Sequence, residues 1–116
     1  MSSHHDRPEK KRMRVILSTC PPAAAEGLAT SLVEKGLVAC VNIIPQVTSI
    51  YRWQGKLMKD GESLLIIKCS EARVDEVTAA ILAEHPYDVP EVVALKVKEG
   101  NPAYIDWVVS SGAAAP

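Results

Sequence analysis

Leu37-Val38-Ala39-Cys40-Val41-Asn42-Ile43-Ile44-Pro45-Gln46-Val47-Thr48-Ser49-Ile50-Tyr51-Arg52-Trp53 changes character at its proline. Up to Ile44 the run is almost unbroken in its apolar residues, the pattern of a strand covered on both faces. From Gln46 onward it alternates, with Val47, Ser49, Tyr51 and Trp53 on one face and Thr48, Ile50 and Arg52 on the other. Pro45 has no N–H for a sheet ladder, so it predicts an edge strand with a bulge at that point. The strand, about residues 38–57, then has to turn back. Asp60-Gly61 is the stronger hairpin signal, because both residues tolerate positive φ, and Gln54-Gly55 is its weaker competitor. A turn at Asp60-Gly61 sets Cys69 opposite Arg52 and keeps Cys40 beyond its reach, so no bridge between the two cysteines is expected.

Upstream, residues 14–18 (RVILS) read as a short buried strand, and Pro21-Pro22 opens a helix at the first turn, where a missing N–H does no harm. Ala25, Leu28, Ala29, Leu32 and Val33 form one apolar stripe, and Gly36 supplies the left-handed end. Downstream, the return strand of residues 63–69 leads to Ser70 as a helix N-cap. Val74, Val77 and Ile81 follow at helical spacing until Pro86 forces an end near His85. Residues 92–98 alternate, with Val93, Leu95 and Val97 directed inward, and Asn101-Pro102 starts a last helix carrying Tyr104, Ile105, Trp107 and Val108. The order β-α-β-β-α-β-α is that of an α+β, ferredoxin-like split βαβ fold with an added C-terminal helix, both long helices covering one face of an antiparallel sheet. Residues 37–44 and 64–67 are apolar at consecutive positions, so the other face also needs cover. A further subunit is the simplest cover.

At 116 residues the chain holds one domain, expected over 13–111, between a polar tail of residues 1–12 and a low-information tail of 112–116. The His4-His5 pair makes the first tail an adventitious metal binder. Thirteen Lys and Arg against fourteen Asp and Glu leave no broad field to steer nucleic acid or an anionic membrane. No apolar run approaches the roughly 18–20 residues that span a bilayer, and the start is polar where a signal peptide would be apolar, so a cytoplasmic protein is expected. Three cysteines, Cys20, Cys40 and Cys69, without a CxxC spacing predict reduced thiols rather than a disulfide framework or a zinc ribbon.

Three stretches carry a resemblance: residues 39–45 (ACVNIIP), 48–56 (TSIYRWQGK) and 85–91 (HPYDVPE). Together with residues 100–107 (GNPAYIDW) they closely resemble the CutA family of divalent cation tolerance proteins, in consistent order from about Met13 to Ser110. The resemblance implies a ferredoxin-like protomer, a homotrimer whose strands pair between subunits, and lateral clefts similar to those of PII signalling proteins. It also implies binding of copper or another divalent cation, and it brings no catalytic reaction.

The candidate metal ligands are His85, Glu91 and a thiol near the end of the first strand. Imidazole, carboxylate and thiolate together suit copper or zinc. Some family members carry a Cys at the position of Ser18 and a second His at that of Glu84, so Cys20 is the remaining thiol, about 7 Å further along an extended strand. Two bland readings stand beside these: His85 as a cap on the last helix carbonyls, and Glu91 as half of an ion pair with Lys68 or Arg52. Tyr51, Trp53, Tyr87, Tyr104 and Trp107 are suited by their polar tips to an interface or a cleft, with Trp53 assigned to the subunit interface. A second function, from a different class, is a PII-like sensor whose clefts bind an anion or metabolite through Lys68 or Arg52. No Ser/His/Asp order, activated Cys or phosphate-cradling Gly loop supports an enzyme.

Overall fold

The structure, a computed structural model, describes residues 12–113, with side chains described to residue 111. His4, His5 and most of both expected tails lie outside that range. Strands β1 (Met13–Cys20), β2 (Cys40–Trp53), β3 (Lys56–Ser70) and β4 (Val93–Lys96) form one antiparallel sheet in the order β2-β3-β1-β4. Helices α1 (Pro22–Glu34) and α2 (Val74–Glu84) are the two crossovers, and α3 (Pro102–Ala113) closes the chain. This is the split βαβ arrangement expected from the element order.

The local signals behave as their chemistry dictates. Pro22 opens α1, and Gly36 adopts φ 72° just past its end. The Ser70 hydroxyl accepts from the Ala72 N–H at 3.2 Å, capping a short 3-10 turn (Glu71–Arg73) that leads into α2. Asn101 accepts from the Ala103 N–H at 3.0 Å and starts α3. Ile16, Leu65 and Ile67 of the sheet meet Leu28 and Leu32 of α1 and Val77 and Ile81 of α2 in the core, all nearly or fully buried. Val33, at the margin of the α1 stripe, is exposed.

Two expectations need correction. The hairpin turns at Gln54-Gly55, not at Asp60-Gly61, which lie within β3 opposite Ser49 and Thr48. Gln54 and Gly55 have φ 52° and 82°, both positive, as a two-residue primed turn requires, and Trp53 pairs with Lys56 directly across it. Choosing the turn by residue identity favoured Asp over Gln; the pairing of Tyr51 with Met58 and Arg52 with Leu57 decides for the shorter arm. In this register Arg52 pairs with Leu57 and not with Cys69, and Cys40 pairs with Lys68, the neighbour of Cys69, rather than lying remote from Cys69, whose side chain points to the opposite side of the sheet. The second correction concerns β4, where Ala94 pairs with the buried Ile16. Val93 and Leu95 therefore stand on the face away from α1 and α2, opposite Leu17 and Val15, and are exposed, while Val92 packs on the core.

The bulge expected at Pro45 is present on the edge strand, where the register steps from Ile44 opposite Leu64 to Val47 opposite Glu62. Gln46 takes φ 62° to accommodate the one extra residue. That residue reverses the alternation, so Ser49, Tyr51 and Trp53 share a face with Glu62 and Asp60 rather than with the core side.

The turn can be tested directly. Gly55→Ala is expected to cost about 1–2 kcal/mol, because an L side chain is forced into the left-handed region. Gly61 has open space where a Cβ would sit and no positive φ, so Gly61→Ala is expected to be neutral or stabilising by up to about 1 kcal/mol. Chemical denaturation of the two variants checks the ordering, and the reverse order would contradict the turn.

Candidate functional site

The end of β1, the second face of the β2 and β3 hairpin and the segment after α2 enclose a cleft of about 430 Å³. Thr19 sits at its base. His85, at the end of α2, donates through Nε2 to the Thr19 carbonyl at 2.8 Å, and its Nδ1 accepts from the Tyr87 N–H at 3.1 Å. Pro86 ends the helix, and the two bonds of His85 fold residues 85–91 back over β1. On the other side of the same residue, the Thr19 hydroxyl donates to Glu91 at 3.3 Å.

The hairpin supplies the opposite wall. Tyr87 reaches across to donate its hydroxyl to Glu62 at 2.7 Å, and Tyr51 donates to Asp60. Burial, then the carboxylate of Glu62, push the Tyr87 hydroxyl well above the ordinary range, so the phenol is neutral. Its bond to Asp60 likewise raises Tyr51. Glu62 is almost completely buried. With Asp60, Glu62, Asp88 and Glu91 in the lining and no Lys or Arg among it, the cleft is negative, and Tyr51, Trp53 and Tyr87 give it aromatic walls.

The sequence-derived candidates divide accordingly. Glu91, Tyr51, Trp53 and Tyr87 line the cleft, and His85 lies beneath it as a buried tie between β1 and the segment that follows α2. The lone pair of its neutral ring is already taken by Tyr87, so coordination at His85 requires giving up that bond. Cys20 faces the hydrophobic core, its thiol raised by burial and by Glu62, which corrects its placement as a thiolate ligand. Burial pushes Cys69 up to about 11. Lys68 hydrogen-bonds to Asn42 within the sheet, and Tyr104 and Trp107 stack on α3 with ring centroids 5.7 Å apart. None of these three lines the cleft. Glu91 meets Thr19 rather than Lys68 or Arg52. Glu84, where a second histidine was a family alternative, ties α2 to Lys35 at 2.7 Å and Ser31 at 3.0 Å of α1, and the Lys35 bond lowers its carboxyl. Among the described residues no three His, Cys, Asp or Glu side chains come close enough to hold a metal ion within one protomer.

Thr19, Asp60, Glu62 and Asp88 were missed as site residues. Glu62 carried a usable signal, a charge next to an apolar strand, but its partner Tyr87 is remote in sequence.

The sequence profile of a family described as CutA1 divalent ion tolerance protein matches residues 14–111. A CutA homolog of Xenopus laevis is 50% identical over 91 residues, which cover 78% of this chain and 60% of that protein. The chain spans about half to three fifths of the length of this and other curated relatives from mouse and rice. The crystal structure of CutA1 from Oryza sativa is 44% identical and superposes with a TM-score of 0.84, covering 86% of this chain and 93% of that one. A structure titled PII-like protein CutA, from Nostoc, gives 0.82 at 36% identity, covering 85% and 96%. Further matches include proteins named as chloroplastic and as periplasmic. No helix among the described residues is long and apolar enough to cross a membrane.

Proposed function

The chain belongs to the CutA1 divalent ion tolerance protein family, and we propose on that premise that it is a cytoplasmic homotrimer that binds divalent cations in its clefts and contributes to metal homeostasis. The family is described by ion tolerance and not by a reaction, so a binding role is the natural one. The observation that carries the reading is the sign of the cleft: four carboxylates line it without a single Lys or Arg. Such a surface concentrates cations and repels anions. Oxygen donors fit a hydrated divalent cation, with waters or a neighbouring protomer completing the coordination. Copper(I) finds no thiol in the cleft lining, since Cys20 and Cys69 are buried with raised thiols and the half-buried Cys40 lies outside it. Copper(II), zinc and harder ions remain compatible with Glu91 and its neighbours. The alternative, an anion or metabolite sensor acting through Lys68 or Arg52, has less support because neither residue lines the cleft.

Calorimetry on the full chain with His4→Ala and His5→Ala separates the cleft from the tail. In that background Glu91→Gln is expected to weaken Zn(II) or Cu(II) binding about tenfold or more, the effect of losing one charged oxygen donor. Unchanged affinity in Glu91→Gln would reject the cleft as the metal site.

A further inference from the structure

Two opposite charges on one face of the sheet lack counter-charges, and an apolar surround marks that face for cover. Alternation along β3 places Glu62, Leu64, Ile66 and Lys68 on the side away from α1 and α2, where Lys68 stands opposite Val15 on β1 and Cys40 on β2. Leu17, Ile44, Val93 and Leu95 share this side. Lys68 is half-buried, its ammonium donates to the neutral Asn42 side chain, and it takes part in no ion pair among the described residues. Glu62 is 6% exposed and is likewise without an ion pair there. The Tyr87 hydroxyl donates to its Oε2, and its Oε1 accepts no hydrogen bond among the described residues. The two charges cannot meet within one chain, since six residues of extended strand hold them about 20 Å apart.

The other charges of the neighbourhood are better served. Lys56 is exposed at the tip of the arm, Asp60 accepts from Tyr51, and Glu91 accepts from Thr19. Covering the sheet face with apolar surface takes Lys68 and Glu62 further out of water, and a buried charge is costly unless it is paired. In a ring of identical chains each contact joins one patch of a protomer to a different patch of the next. A face with an uncompensated cation towards one end and an uncompensated anion towards the other is complementary to its own copy.

We infer that Lys68 pairs with Glu62 of the partner subunit, so that each protomer gives its lysine to one neighbour and its glutamate to the other. The inference rests on the reading of the chain as a homotrimer and names the polar contact that fixes how one copy registers against the next. Apolar burial supplies the strength of the contact, and the charge pair supplies its specificity. The cleft is incomplete in a single chain, because the counter-charge of its most buried carboxylate comes from the partner subunit's Lys68. Glu62 is then withdrawn from the donors open to a metal ion, which leaves Asp60, Asp88 and Glu91.

The test follows the monomer–trimer equilibrium of the full chain by sedimentation, for the parent, Lys68→Glu, Glu62→Lys and the chain carrying both reversals. Each single reversal is expected to weaken association about thirtyfold or more per contact, and the double reversal to recover all but about tenfold of the loss. Single variants that associate as tightly as the parent, or a double reversal no better than the weaker single variant, overturn the inference. Where a reversed charge prevents folding, the neutral set Lys68→Met, Glu62→Gln and their combination decides: Met keeps the apolar stem, and Gln keeps an acceptor for Tyr87. The combined loss is expected to fall short of the product of the single losses by about tenfold or more, and a loss equal to that product overturns the pairing. A parent chain that is itself monomeric removes the homotrimer reading and this one together. A trimeric parent with indifferent variants removes this one alone.

Discussion

Diluted to submicromolar concentration, the protein is expected to scatter light as a particle of three times its 12.5 kDa chain mass, with no folded monomer. The reason lies in where the sheet ends. β1 pairs with β3 only from Ser63 to Ser70, so residues 47–62 form a two-stranded arm that extends past the rest of the sheet. Its side chains are left open in the protomer: Ile50 and Leu57, on the core-side face of the arm, are 65% and 73% exposed, and Trp53 on the other face is 48% exposed. A two-stranded hairpin is marginal in water by itself. The outer edge of β2 also offers unpaired backbone groups. On the face away from α1 and α2, Val93 and Leu95 add further exposed apolar surface. Closed cyclic association covers the arm, the edge and that face together. Ile50→Asp and Leu57→Asp are the decisive variants. In a monomer such exposed positions accept a charge almost freely, but in an obligate interface each loses about 1.5–3 kcal/mol of apolar burial at every copy. Over three symmetric contacts, dissociation is expected to shift by more than about a hundredfold. A stable folded monomer of the parent chain, or variants that associate like the parent, would refute the obligate interface, and a dimer would refute the threefold symmetry.

How much of this was readable beforehand depends on whether the signal was local. Pro45 announced the bulge because a missing N–H is a property of one residue, and Gly36 and Asn101-Pro102 announced helix boundaries for similar reasons. The turn was misplaced because both dipeptides contain a glycine, and the deciding quantity was cross-strand pairing over several residues. β4 was assigned the wrong phase because a strand with an apolar residue at nearly every position, Val92-Val93-Ala94-Leu95, fits either face until its partner Ile16 is known. The site followed the same division. His85 and Glu91 were found from sequence and do converge on Thr19, but Tyr51 and Trp53 join Glu62 and Asp60 on the cleft face only through the phase reversal at Gln46. Cys20 was placed by distance along the strand alone; alternation turns its side chain to the core.

His85→Ala is expected to destabilise the fold by about 2–4 kcal/mol and to loosen the cleft more than the core. The imidazole connects two backbone groups: it donates to the Thr19 carbonyl and accepts from the Tyr87 N–H. Each buried polar group left unpaired costs about 1–3 kcal/mol, and water entering the vacated space recovers part of that. The consequence for the site is indirect. Tyr87 is held over Glu62 only while residues 85–91 are folded back onto β1, and Glu91 closes the same segment through Thr19. Removing the ring therefore releases Tyr87, exposes Glu62 to solvent and separates the two groups of carboxylates, although His85 itself does not line the cleft. Hydrogen exchange checks this pattern: amides of residues 85–91 and Thr19 should lose protection, while those of Ile16, Leu65 and Ile67 should lose only what the global destabilisation requires. His85→Asn, able to accept at one end and donate at the other with a shorter reach, should restore part of the loss. A His85→Ala variant with wild-type stability and unaltered exchange at Tyr87 would show that the imidazole does not hold the cleft together. Loss of Zn(II) binding in that same variant would then identify the ring as a direct ligand.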